Sequence, residues 1–292
     1  MQAYICTTCG VQFAPSEHAP EQCPVCRDER QYVGWTGQAW TTLEAMRHEG
    51  YGNVLEGVPD EPKLACVACS PDFAIGQRAL IVQTEAGNLM WDCVPCLSTG
   101  AFVDKQFRRE LEAIGGIDAI AISHPHFYST MIDWAQSFDV PIHIHVDDAA
   151  WVMRNDAHIQ LWSGEHKSLF GGLVLHRLGG HFAGGQVLYW PAGADGKGAL
   201  LSGDIIQVAQ DRDWVSFMYS YPNLIPLSAR QVEGMNARVQ ALEFDRLYGG
   251  WHGRNVIGAA KEKVGRSARR YLAALDGQLS ADNQQVEGNS TS

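Results

Sequence analysis

Apolar residues change their rhythm several times along the chain, and each change marks an element. "FAIGQRALIVQT" and "NLMWDC" are β-rich runs joined by Glu85-Ala86-Gly87-Asn88, which predicts a β-hairpin. "IDAIAIS" is a continuous apolar run, read as a buried strand. A helix is expected to open at Thr130, with Asp133 three residues on as its capping-box partner, and Met131, Trp134, Ala135 and Phe138 share one helical face. Pro141 begins another strand, "PIHIHV", so this stretch reads as a β-α-β unit. Three more strands follow, "GLVLHRLGGH", "QVLYW" and "ALLSGD", and then a long aromatic connection, "DWVSFMYSYPNLIPL". A helix from about Ser228 places Val232, Met235, Val239 and Leu242 at helical spacing. The strand "FDRLYGGWH" and a last helix near 256–275 complete a mixed α/β sandwich. The polar stretch 277–292 is expected to be a disordered tail.

The first 34 residues have a different texture, with turn residues, few long apolar side chains and two knuckles, "CTTCG" and "CPVC". So short a unit cannot be held by burial alone, and a metal supplies the missing stability. Cys6, Cys9, Cys23 and Cys26 make a tetrahedral sulfur cage suited to Zn²⁺ or a single iron. The stretch "YICTTCGVQFAPSEHAPEQCPVC" resembles a rubredoxin-like or zinc-ribbon module, with Gly10 and Pro24 beside the knuckles. All eight cysteines fall in C-x-x-C pairs, which favours metal or redox chemistry and a reducing compartment. Cys66/Cys69 and Cys93/Cys96 are read by default as buried thiols, with a second sulfur cage as the rival.

Acidic residues outnumber basic ones 33 to 22, for a net charge of −11. That balance argues against nucleic acid and anionic membranes as partners and leaves a small-molecule substrate, with oligomerisation open. No apolar run approaches the ~20 residues of a membrane helix, and "MQAYICTTCG" lacks the features of an export signal. The expected location is cytoplasmic.

His124 and His126, His181, Asp204 and His252 stand where strands run out into turns of small residues: "SHPH", "GGHFAGG", "LSGD" and "GGWHG". Strand ends are where α/β architectures gather reactive groups. The order and spacing of these corners, with Asp92 in "MWDC", resemble the metallo-β-lactamase superfamily over roughly residues 70–275. The resemblance implies a four-layer αββα sandwich at residues 73–276, behind a ribbon at 1–34 and a connecting segment at 35–72. It also implies that His124, His126 and His181 hold one metal, that Asp204 bridges to a second, and that His252 belongs to the second. The family's loop is H-x-H-x-D-H, and here Tyr128 and Ser129 occupy the Asp-His places. One metal, Zn²⁺ or Fe²⁺, is therefore expected in the histidine site.

The activity so implied is hydrolysis of an ester, thioester, lactone or phosphodiester by a metal-bound hydroxide, with Asp204, His252 and Tyr128 as candidates for handling protons or developing charge. Two other readings stay open. One is an iron-dependent oxygenase or redox protein fed by the ribbon; the other is a binding module that kept the fold and lost catalysis. His143 and His145, two apart on one strand face, form a rival pair. Trp214, Phe217, Tyr219 and Tyr221 are either core or a wall over the site.

Overall fold

The computed structural model describes residues 1–97 and 105–279. From residue 280 onward the expected tail lies outside the described residues. At the N-terminus, strand β1 (Ile5–Cys6) pairs antiparallel with β2 (Trp40–Thr41), so the ribbon closes on itself only beyond residue 34. Between them, the single turn α1 (Pro24–Arg27) begins with proline, where no intrahelical donor is lost. Helix α2 (Leu43–His48) follows, its first turn capped by the Thr42 hydroxyl accepting from Ala45 N–H.

Residues 52–70 of the expected connecting segment are strands. They form a long hairpin, β3 (Gly52–Val58) and β4 (Glu61–Ser70), at the edge of a seven-stranded sheet. The sheet continues through β5 (Arg78–Thr84), β6 (Gly87–Trp91), β7 (Ala119–Ala121), β8 (Ile142–His145) and β9 (Ile159–Trp162) in that order. The predicted hairpin is β5–β6, with Thr84 opposite Gly87. Helices α3 (Lys105–Ala113) and α4 (Met131–Phe138) connect parallel neighbours, β6 to β7 and β7 to β8.

A six-stranded sheet faces the first. Its leading strands are β10 (His166–Ser168), β11 (Val174–Arg177), β12 (Gln186–Trp190) and, after the short turn α5 (Gly193–Gly196), β13 (Ala199–Gly203). The aromatic connection then folds into two short pairs, β14 (Gln207–Val208) with β15 (Val215–Ser216) and β16 (Met218–Ser220) with β17 (Ile225–Pro226). Helix α6 (Ala229–Gln240) leads to β18 (Arg246–Gly249) and β19 (Asn255–Ile257), which complete the sheet, and α7 (Ala260–Leu275) covers it.

Because side chains alternate along a strand, the buried strands feed two cores at once. Ala79 and Ile81 of β5 join a cluster with Trp134 and Ala135 of α4, whereas Leu80 and Val82 meet Leu188 and Leu201 of the opposite sheet. Val232, Met235 and Val239 of α6 and Val264 and Ala268 of α7 cover the far face. The result is the expected αββα sandwich.

Several local expectations are corrected. Thr130 does not cap α4: its hydroxyl donates to Val94 O, and Asp133 pairs with Arg154 at 2.8 Å, so tertiary partners outcompete the capping box. Ser228 and Gln231 do form one, at α6. The last helix starts at Ala260, because residues 255–257 are strand. Cys66 and Cys69, three apart on β4, face opposite sides of the sheet, so no second sulfur cage is built. Cys69 forms a disulfide with Cys96, and Cys93 is a buried thiol. His145 packs on Trp162 and bonds Gly164 O at 3.1 Å, in the strand body. No helix among the described residues is long and apolar enough to cross a membrane.

Candidate metal centre

The site is assembled where β7, β11 and β13 end. Beyond β7, Asp92 at the end of β6 accepts from Ser123 N–H at 2.7 Å, and the Ser123 hydroxyl lies 2.9 Å from His124 Nδ1. This buried chain fixes the first imidazole from behind. Pro125 then starts a 3₁₀ turn, Pro125–Phe127, that swings His126 beside it. Beyond β11, the His181 ring must donate its Nδ1–H to the Met218 carbonyl at 3.1 Å, because a carbonyl only accepts. That leaves the His181 Nε2 lone pair facing His126 Nδ1, 3.2 Å away.

The three ring centroids are 4.9 to 5.1 Å apart, a nearly equilateral triangle. Each imidazole offers one nitrogen, and these atoms lie within 4.8 Å of one another. All three rings are buried, and burial holds their pKa values low, His181 down to about 4, so they are neutral donors at pH 7. Asp204, just beyond β13, brings Oδ1 to 3.1 Å from His124 Nε2, yet neither atom has a hydrogen-bond partner among the described residues. Burial, then the neighbouring Asp92 carboxylate, push Asp204 up to about 8, and burial pushes Asp92 up to about 7. Two buried acidic groups thus stand behind three neutral imidazoles, with Asp204 Oδ1 and His124 Nε2 left without partners among the described residues. The donor set therefore fits a divalent metal, and the 3.2 Å spacing is close to the edge of about 3.3 Å expected for a tetrahedral site with ~2.05 Å bonds.

Other expected residues are placed elsewhere. Tyr128 is buried with its hydroxyl donating to Asp148 O at 3.3 Å. Ser129 accepts from the Gln77 amide at 2.8 Å, and its own carbonyl receives Gln12 N–H of the ribbon. The residues in the Asp-His places thus serve packing and docking of the ribbon. His252 is exposed, with Nε2 3.7 Å from Cys66 Sγ, outside the group of three histidines. The aromatic connection divides: Phe217 is core, Trp214 stacks under Arg270, and Tyr221 lies 5.6 Å from His181 while donating to Asp204 O.

In the ribbon, Cys6, Cys9, Cys23 and Cys26 converge, with Cys6 Sγ 3.5 Å from Cys26 and Cys9 Sγ 3.7 Å from Cys23. The Gln38 amide donates to Cys6 Sγ at 3.1 Å, as suits a thiolate ligand.

Sequence reading missed Phe182, which packs against all three histidine rings, Arg30, which bonds the His181 carbonyl, and Trp151, which lies on Phe182. Phe182, beside His181 in "GGHFAGG", was the legible one of the three. Gly203 was overlooked as well. It adopts φ +55°, and a Cβ there would stand 2.5 Å from Ser123 Oγ and 3.2 Å from Asp92 Oδ2. Gly203→Ala is expected to destabilise the protein by about 2–4 kcal/mol, from left-handed strain plus overpacking. An unchanged thermal midpoint would refute that.

No family model matches the chain. Among solved structures, VMB-1 superimposes with a TM-score of 0.54 at 14% identity, over 76% of this chain and 98% of that one. The DIM-1 metallo-β-lactamase does so with a TM-score of 0.53 at 15% identity, over 75% of this chain and 97% of that one. The fold is thus that of the metallo-β-lactamases. The uncharacterized protein YmaE of Bacillus subtilis (strain 168) is 50% identical over 280 residues, covering 96% of this chain and 99% of that protein. The chain belongs to one family with YmaE, with its histidine triangle set in a metallo-β-lactamase fold.

Proposed function

We propose that the chain is a metal-dependent hydrolase that uses a single metal in the histidine site, most simply Zn²⁺, on an ester, thioester, lactone or phosphodiester. The observation that supports it is the buried triangle of His124, His126 and His181 with its nitrogens turned inward. These imidazoles would hold a divalent ion, which would lower the pKa of a bound water toward ~7 and polarise a carbonyl or phosphoryl oxygen. Asp204 is the group placed to hold a proton at its Oδ1, beside His124. The engagement of Tyr128 and Ser129 in packing and the surface position of His252 favour one metal over two.

Metal analysis followed by a panel of the four substrate classes tests the reading directly. Asp204→Asn is expected to lower turnover roughly 10²–10⁴-fold, the range for a positioned acid or base. His252→Asn is expected to keep its metal and to change turnover less than about tenfold. Loss of metal from His252→Asn would make it a ligand and overturn the one-metal reading. A visible iron–thiolate chromophore with no hydrolysis across the panel would favour redox chemistry fed by the ribbon.

A further inference from the structure

Arg30 comes four residues after Cys26, in a unit with little core of its own, yet its guanidinium lies against the histidine site. It sits 3.9 Å over the Phe182 ring, with Trp151 at 5.1 Å and Tyr219 at 5.5 Å. Nε and Nη2 donate to the two carboxylate oxygens of Asp28 at 2.6 and 3.0 Å, and Nη1 donates to the His181 carbonyl at 3.3 Å. Desolvating a guanidinium is costly unless its donors are matched, and here they are, with three aromatic faces besides. The surrounding loop is tied down independently: the Asn223 amide donates to the carbonyls of Glu29 and Gln31, each at 2.9 Å.

His181 is thereby held at both ends. Its ring is fixed through Met218 of β16, and its backbone through a residue of the ribbon. Asp28, which orients Arg30, is the residue that ends α1, the turn carrying Cys26. Folding of the cysteine knuckle therefore presents the clamp.

We infer that Arg30 is a positioning residue of the histidine site, and that through it metal in the cysteine cage strengthens metal binding by the histidines. The inference rests on the reading that the triangle holds metal. Because coupling of two binding equilibria is reciprocal, an occupied triangle also favours the loaded ribbon.

The sign of the effect separates this from simple electrostatics. A cation near a metal opposes its binding, so losing Arg30 as a mere charge would tighten the site; losing it as a clamp loosens it. The full chain loaded with Co²⁺ distinguishes the two sites, since thiolate ligation gives intense charge-transfer absorption and imidazole ligation only weak bands. Under graded chelator, Arg30→Ala is expected to keep the thiolate signal and to bind the histidine equivalent about 10–100-fold more weakly, the usual cost of losing an outer partner of a ligand. Arg30→Lys keeps the charge but cannot make the two-pronged Asp28 contact, and is expected to recover little. Unchanged or tighter histidine binding in Arg30→Ala would overturn the inference. If that variant also loses the thiolate signal, Asp28→Asn with the signal intact decides by the same criterion. A parent protein that binds only the thiolate equivalent removes the hydrolase reading and the inference with it.

Discussion

Cys9→Ser combined with Cys26→Ser is expected to release one metal equivalent and to melt residues 1–41, while the sandwich stays folded. Few apolar side chains are buried in the ribbon besides the cysteines, chiefly Ile5, Val11 and Val25. Metal binding to a structural zinc unit supplies about 10–16 kcal/mol at pH 7, more than three such side chains at ~1.5–3 kcal/mol each. Without a cation, only weak thiol contacts remain within the cage, Cys6 Sγ to Cys26 Sγ at 3.5 Å and Cys9 Sγ to Cys23 Sγ at 3.7 Å. Amide exchange by mass spectrometry measures this directly: protection at 1–41 should collapse while that of β5 and β6 persists. Protection at 1–41 equal to the parent would show that packing against the sandwich, and no metal, holds the ribbon.

His181→Ala is expected to abolish retention of the histidine metal and to take turnover down at least about 10³-fold, because the water the metal would activate is no longer acidified. Two imidazoles remain, and Asp204 stands by His124. The ribbon's metal should stay, because its four ligands are intact. Elemental analysis beside rate measurement on the same sample tests both halves. Retention of two metals per chain would exclude His181 as a ligand and leave the triangle without its function.

The strand-end corners were legible because each carried a histidine or aspartate in a run of small residues after an apolar strand, and their chain order added information that no single corner holds. The hairpin at 78–91 and helix α6 were legible for the same reason, since period and turn residues agreed. β3 and β4 were not. "LACVAC" resembles a cysteine knuckle as much as a strand, and the small residues between the cysteines hide its two-faced burial. Thr130 shows another limit: residue type announces a cap, but the carbonyl of Val94, 36 residues away in sequence, claims the hydroxyl. Arg30 was hidden more deeply. "CRDER" offers four charged residues beside a knuckle, and only docking decides which of them meets His181. The disulfide escaped notice because the C-x-x-C spacing pairs neighbours, whereas the bond joins the second cysteine of one pair to the second of the other.

The docking of the ribbon also sets an order of events on the ribosome. Its hydrogen bonds to the sandwich include those with Ser129, Met153, His181 and Asn223, and Asn223 is made 192 residues after Gln31. At ~5–20 residues per second that is a wait of about 10–40 s. Until Ser129, the earliest of these four, is made, the nascent ribbon has none of them to dock against. On the reading proposed above, the cage would take metal early and the histidine triangle late, once His181 has been made and meets Arg30.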